Sequence, residues 1–305
     1  MLFLGGGGVK LWRLNMNIYA DVTDRILKKL DEGIVPWRKT WATGIPRSLS
    51  SRREYRGLNI VMLGAAGYVS PYWVTFREAL RLGGNVRKGE KATPVIYWHW
   101  RTPEDLAQLQ QKTGKKDFAP CVPFISSVFN LEQVEGIAPP GDDMGTDGHR
   151  RLELAEKLLE AMPDKPTVFH STQCEPSYNF REDRVALPHL SQFENADEFY
   201  ATYFHELCHS TAHQKRLNRV AEREGDAIER YSFEELVAEF GAAFLCAFSG
   251  INNAGTEALA VSYIHGWAQA LRNDQGLVLR AASAAQRAAD YIRGKHLVQV
   301  QAKAA

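Results

Sequence analysis

The most regular apolar spacing near the start of the chain is Ile18, Val22, Ile26 and Leu30, four residues apart with polar positions between them. It predicts an amphipathic helix that Gly33 closes. From Val35 to Asn59 the period is lost and the chain reads as turn-rich. Ser70-Pro71 opens a second predicted helix with Trp73, Phe76 and Leu80 on one side and Gly83-Gly84 as its stop. Pro94–Arg101 and Cys121–Asn130 read as strands, separated by a polar loop, Thr102–Pro120. Farther on come a helix (Arg151–Met162), three short strands (Thr167–His170, Ser177–Phe180, Arg184–Leu187) and helical stretches at about 195–213, 232–249, 256–272 and 277–292. The pattern predicts an α+β protein.

Residues 136–148 are dense in Pro, Gly and Asp and read as a linker. They divide a small α+β domain, residues 16–135, from a domain at residues 149–305 with a small sheet followed by a helical bundle. Residues 1–15, interrupted by Gly5–Gly8, read as a disordered leader, with Met16 as an alternative start. Overall charge hides an asymmetry. Residues 1–138 hold 20 Lys+Arg and 12 Asp+Glu, while residues 139–305 hold 17 and 24. Six of the seven Trp also fall in the first part, so the two parts are expected to face different partners. Four widely spaced Cys with no CxxC pair point to reduced thiols and a cytoplasmic location. No apolar run reaches membrane-spanning length, so no membrane partner is expected.

The sharpest chemical signal is His205-Glu206-Leu207-Cys208-His209. On a helix, positions i and i+4 lie one turn apart and about 40° around the axis, so both imidazoles can meet one divalent metal. Glu206 projects beside them and can take the proton of a water activated by that ion. Zinc is the first expectation and manganese the alternative. A catalytic site of this kind needs a third protein ligand. The apolar stretch 232–249 carries Glu234, Glu235 and Glu239; Glu235 is read as the ligand, ahead of Glu239 and then Glu234, with Glu239 as the acceptor of a hydrogen bond from a ligand imidazole. His213 is a further one-turn step along and reads as a residue around the ligands, on the substrate side, or as a solvated helix-end side chain. Lys215 stands where the HExxHxxGxxH peptidases have their third His, which excludes that class. Cys208 reads as a core thiol, and Tyr203 or Tyr231 as a donor to an oxyanion. The His, His, Glu set resembles gluzincin-type zinc peptidases.

The basic, aromatic-rich first part suits single-stranded DNA, with cations along the phosphates and bases stacked on rings. The candidate contacts are Trp37, Arg38, Tyr55, Arg56 and Asn59 in the turn-rich stretch, and Arg87, Lys88 and Lys91 in a basic turn. Tyr97, Trp98 and Trp100 alternate along a strand, so only some of them can be platforms.

Asn17-Ile-Tyr-Ala-Asp-Val-Thr23, Tyr55-Arg-Gly-Leu-Asn59, Gly84-Asn-Val-Arg-Lys-Gly-Glu-Lys91 and Val128-Phe-Asn-Leu-Glu-Gln133 resemble the N-terminal domain of ArdC-type antirestriction proteins, which also heads TraC-type plasmid primases. Tyr178, His205–His209, Arg216-Leu-Asn-Arg219 and Glu234–Glu239 resemble the zincin-like domain that follows it; Ala212 stands where Gly is expected. The resemblance implies a single-stranded-DNA-binding domain joined to a metallopeptidase-type domain, carried by mobile elements to protect incoming DNA. It implies metal binding by His205, His209 and an acidic residue of Glu234–Glu239, with Glu206 as the catalytic carboxylate. An unidentified protein is the expected substrate, with strand Arg184–Leu187 as an edge for it to pair with. Two other functions fit the same residues: shielding of DNA around a structural metal, and proteolysis of DNA–protein crosslinks.

Overall fold

The computed structural model describes residues 18–38, 44–114, 118, 121–141, 148–219, 227–253 and 257–295. The leader and residues 142–147 of the expected linker lie outside the described residues. The first helix, α1 (Ile18–Asp31), buries Val22, Ile26 and Leu30 and ends at Gly33, whose φ of 76° suits glycine. After β1 (Arg47–Ser48) comes α2 (Leu58–Ala65), a helix the sequence reading did not foresee. It is apolar nearly all round and buries Leu58, Ile60, Val61, Met62 and Leu63, so it has no polar face to reveal a period.

The helix expected after Ser70-Pro71 is in fact a strand, β2 (Tyr72–Thr75), followed by the short helix α3 (Phe76–Arg81). Trp73 and Val74 are buried from both faces of a sheet, and Thr75 caps α3 by accepting from the Glu78 N–H. The helical spacing misled because Phe76 and Leu80 are exposed. The strands β3 (Asn85–Val86), β4 (Thr93–Trp100), β5 (Cys121–Asn130) and β6 (Val134–Glu135) complete the first part, with order β1-β2-β5-β4 in one sheet and β3-β6 in another. β4 and β5 pair antiparallel from Thr93↔Val128 to Trp100↔Cys121. The expected polar loop between them contains α4 (Pro103–Thr113), with no buried residue and a capping box between Thr102 and Asp105. Gly84 is confined: a Cβ there would lie 2.5 Å from Ile137 and 2.7 Å from the Glu135 carbonyl.

Residues beyond 148 form α5 (Gly148–Ala161), β7 (Thr167–His170), β8 (Ser177–Asn179), β9 (Arg184–Leu187), α6 (Ala196–Ser210), α7 (Ala227–Ser249), α8 (Glu257–Asn273) and α9 (Leu277–Ile292). Strand order is β7-β9-β8. This corrects the expected edge: Arg184–Leu187 is the central strand, paired on both sides, and β8 is an edge. Helix α7 packs against α5, α6, α8 and α9 and is buried from Leu236 to Ala247 on nearly every side, as its unbroken apolar sequence requires.

The two parts share one apolar core. Val22, Ile26, Leu30, Trp37, Ile45 and Leu58 lie in the same cluster as Phe204, Phe240, Phe244 and the alanine-rich face of α9. Trp37 meets Phe240 edge-on at 4.8 Å between ring centres and Trp267 at 5.4 Å. Two smaller clusters serve the sheet of the first part alone. Among the described residues no helix is long and apolar enough to cross a membrane.

Candidate metal centre

Helix α6 starts where the Asn195 side chain accepts the Glu198 N–H (3.0 Å). Its Phe199, Phe204, Leu207 and Cys208 are buried in the core, and His205 and His209 face α7 across the helix contact. Their Nε2 atoms lie 3.1 Å apart. Glu235 Oε2 is 3.7 Å from His205 Nε2, and Glu235 Oε1 is 3.6 Å from His209 Nε2. One donor atom from each of these three residues falls within 4.8 Å of the others, and among the described residues no fourth His, Cys, Asp or Glu joins the group.

The far side of each imidazole faces a carboxylate. His205 Nδ1 is 3.5 Å from Glu239 Oε1, and His209 Nδ1 is 3.7 Å from Glu234 Oε1. Those carboxylates are themselves held by arginines: Arg38 Nη2 lies 2.7 Å from Glu239 Oε1, and Arg219 Nη2 lies 2.6 Å from Glu234 Oε1. A carboxylate at Nδ1 fixes the proton there and turns the Nε2 lone pairs inward. Two imidazole nitrogens 3.1 Å apart beside a carboxylate bring three donor atoms to one point, where a cation satisfies all three. Two imidazole nitrogens and one carboxylate oxygen are also the donor set of catalytic zinc sites, which keep a further position for water or substrate. The residues therefore fit a divalent metal.

Electrostatics follow from burial and charge. Burial, then the neighbouring His209, pushes His205 down to about 3. Burial also pulls on His209, but Glu234, Glu235 and Glu206 outweigh it and raise its pKa. Burial opposes ionisation of Glu239 and Glu234; Arg38 with His205 and Trp37 overcomes it for the first, and His209 with Arg219 for the second, so both sit below the usual carboxylate range. Glu235 goes the other way, raised by burial and by the Glu239 charge. Of the three α7 carboxylates, Glu235 is thus the one whose charge the protein alone leaves least compensated.

Glu206, beside the pair, is buried and pushed up to about 7 by desolvation, a rise that the nearby backbone N–H of Tyr178 on β8 works against. Cys208 is a core thiol whose burial pushes its pKa up. His213 lies outside the ligand group: its Nδ1 accepts the Lys215 N–H (3.2 Å), its ring meets Phe180 at 4.8 Å, and Asp183 is 3.9 Å away. Of the two tyrosines, Tyr203 is buried, whereas Tyr231 is half exposed and its hydroxyl donates to Glu235.

Several expected DNA contacts are elsewhere. Trp37 is 1% exposed, and its Nε1 donates to Glu239 (3.1 Å); Arg38 joins the same carboxylate. Tyr55 is buried, and Asn59 bonds both the N–H and the carbonyl of Ile96 (2.8 Å each). These four face inward because an indole, a guanidinium paired with a carboxylate, a phenol ring and a β4-bridging amide gain more from burial and internal partners than from water. Arg56 is exposed and pairs with Asp290. Arg87 is exposed and pairs with Glu90 (2.6 Å), and Lys88 and Lys91 are exposed. Four exposed rings line the β4–β5 ribbon instead: Trp100 is 69% exposed, with Tyr97, Trp98 and Phe124 each above two-fifths. Sequence reasoning missed Arg219 and the role of Glu234; the only signal was the spacing of Arg216-Leu-Asn-Arg219 after the metal motif.

Comparison with known proteins agrees with this architecture. Residues 16–129 match the N-terminal domain of anti-restriction factor ArdC, and residues 153–284 match a zincin-like metallopeptidase family. A DNA primase TraC of Escherichia coli is 32% identical over 93% of this chain, which spans 28% of that primase. The uncharacterized protein y4eC of Sinorhizobium fredii is 31% identical, with 92% of each covered. The metal-free crystal structure of the antirestriction protein ArdC from plasmid R388 superposes with a TM-score of 0.72 at 33% identity, covering 92% of this chain and 98% of that one. The Mn(II)-bound structure of that protein gives 0.70 at 32% identity, with the same coverage. With an ArdC N-terminal domain, a zincin-like domain carrying a three-donor centre, and relatives matched nearly end to end, the chain belongs to the ArdC-type antirestriction family.

Proposed function

We propose that this chain is an antirestriction protein that grips single-stranded DNA with its first part and hydrolyses a peptide bond at its metal centre. The observation that carries the second half is the convergence of His205, His209 and Glu235 with the buried, uncoordinated Glu206 next to them. A divalent cation there supplies Lewis acidity for the attack of water on a carbonyl. Glu206 is placed to take the proton of that water and pass it to the leaving amine. The Tyr178 N–H lies near its carboxylate, so the acid–base group and strand β8 are neighbours. As an edge beside Glu206, β8 offers the backbone an extended peptide would pair with. Tyr231, half exposed and bonded to Glu235, can turn its hydroxyl toward a developing oxyanion.

DNA binding is supported by the family, by the excess of Lys+Arg in residues 1–138, and by the exposed rings Tyr97, Trp98, Trp100 and Phe124. Arg87, Lys88 and Lys91 lead into the same ribbon and supply cations for phosphates. Holding DNA and protein together raises the effective concentration of a DNA-bound protein substrate. Two measurements test the reading: metal content of the purified protein, and cleavage of casein or of the chain itself with and without single-stranded DNA. Metal-dependent, DNA-stimulated cleavage is expected. A metal-loaded protein that protects transferred DNA but cleaves nothing would favour shielding by occupancy instead.

A further inference from the structure

We propose that Trp37 and Arg38, contributed by the first part of the chain, are positioning residues of the metal centre: they fix Glu239 and, through it, His205. The proposal rests on the reading of His205, His209 and Glu235 as the ligand set.

The two ligand imidazoles are supported alike but from different places. His209 is backed by Glu234, and Glu234 by Arg219, ten residues beyond His209 in the same domain. His205 is backed by Glu239, and Glu239 receives three hydrogen bonds from 201 and 202 positions away: Arg38 Nη2 to Oε1 (2.7 Å), Arg38 Nε to Oε2 (3.1 Å) and Trp37 Nε1 to Oε2 (3.1 Å). The side chains of Arg38 and Glu239 are each only 9% exposed. The guanidinium fork fills both carboxylate oxygens at once, a geometry that a lysine ammonium cannot reproduce. Trp37 is pinned in turn by Phe240 and Trp267, and its carbonyl accepts from Asn253, so the pair cannot drift from the carboxylate. Without Arg38, Glu239 would be a buried charge with too few partners. Freed of the fork that fixes both oxygens, it would rotate, and that change removes the acceptor that orients His205. A structural role alone would show as lost stability; positioning predicts lost metal affinity in a chain that is still folded.

The test uses full-length protein freed of metal, with Zn(II) titrated against a chromophoric competitor and Mn(II) followed by electron paramagnetic resonance. Circular dichroism confirms folding. Arg38→Lys and Trp37→Phe should bind either ion about 10–100-fold more weakly than wild type, the usual cost of losing a partner of a ligand histidine. Arg38→Lys should weaken binding little further once Glu239→Gln is present, because both act through one carboxylate. Wild-type affinity in folded Arg38→Lys and Trp37→Phe would overturn the proposal, as would full additivity with Glu239→Gln. A wild-type chain that takes up neither ion would remove the ligand-set reading itself.

Discussion

Gly241 of α7 lies so close to Cys208 of α6 that a Cβ at position 241 would fall 2.5 Å from the cysteine sulfur. This contact sets how near the two helices run, and the same two helices carry His205, His209 and Glu235. Cys208 is fully buried and short, so it cannot swing aside. Gly241→Ala gains helix propensity of up to about 1 kcal/mol but forces overpacking that costs about 1–3 kcal/mol. A net drop in melting temperature is expected, with weaker Zn(II) binding. Adding Cys208→Ala should recover most of both, and calorimetry on the single and double variants reads the difference.

Glu206→Gln keeps the shape of the side chain and removes its ability to take a proton. Cleavage of casein or of the chain itself should fall at least 100-fold, the scale of a lost general base, while metal content and DNA affinity stay at wild type. Equal residual proteolysis in that variant would end the assignment of Glu206.

Asp183, at the β8–β9 turn, joins the edge strand to the end of α6. It accepts from Arg216, whose side chain is fully buried, from Tyr178 (2.8 Å) and from Lys215 (3.1 Å). Burial alone would raise its pKa, but these donors together hold it well below the usual value. The folded state therefore favours the anion more than the unfolded chain does. The resulting stability is present above the unfolded pKa of about 4 and disappears as pH falls below it. Denaturant melts from pH 6 to 2 should show that loss. Asp183→Asn should be less stable at pH 7 by about 3 kcal/mol and have a flatter acid limb.

For DNA, the structure separates rings that sequence alone groups together. Trp100→Ala and Phe124→Ala should each weaken binding to oligo(dT) by about 1–3 kcal/mol and leave the melting temperature near wild type. Trp37→Ala should instead destabilise the fold by about 3–5 kcal/mol, because it empties a core position. Arg87→Glu or Lys88→Glu should lower the steepness of the salt dependence. Fluorescence anisotropy over a salt series checks the four binding variants and calorimetry checks Trp37→Ala; salt-independent binding, or none, would remove the DNA reading.

Local pattern was enough for much of this protein. The four-residue spacing of Ile18 to Leu30, the strand pair ending at Trp100 and Cys121, and the order of helices after residue 195 were all legible, because each depends on neighbours within a turn or a pleat. So was the His205-Glu206-xx-His209 face, since helix geometry alone places i and i+4 together. Alternation and spacing failed where an element lacks a polar face, as in α2, or a buried one, as in α4, and where exposed Phe76 and Leu80 imitate a helical stripe. What the sequence could not decide is which distant groups meet. Trp37 and Arg38 look like nucleic-acid contacts beside their basic neighbours. Only the shared core, which draws an indole under Phe240 and Trp267, brings them onto Glu239. Likewise only sheet order makes β8 and not β9 the edge beside Glu206. Long-range contacts depend on how several apolar faces are buried at once, and no single segment carries that information.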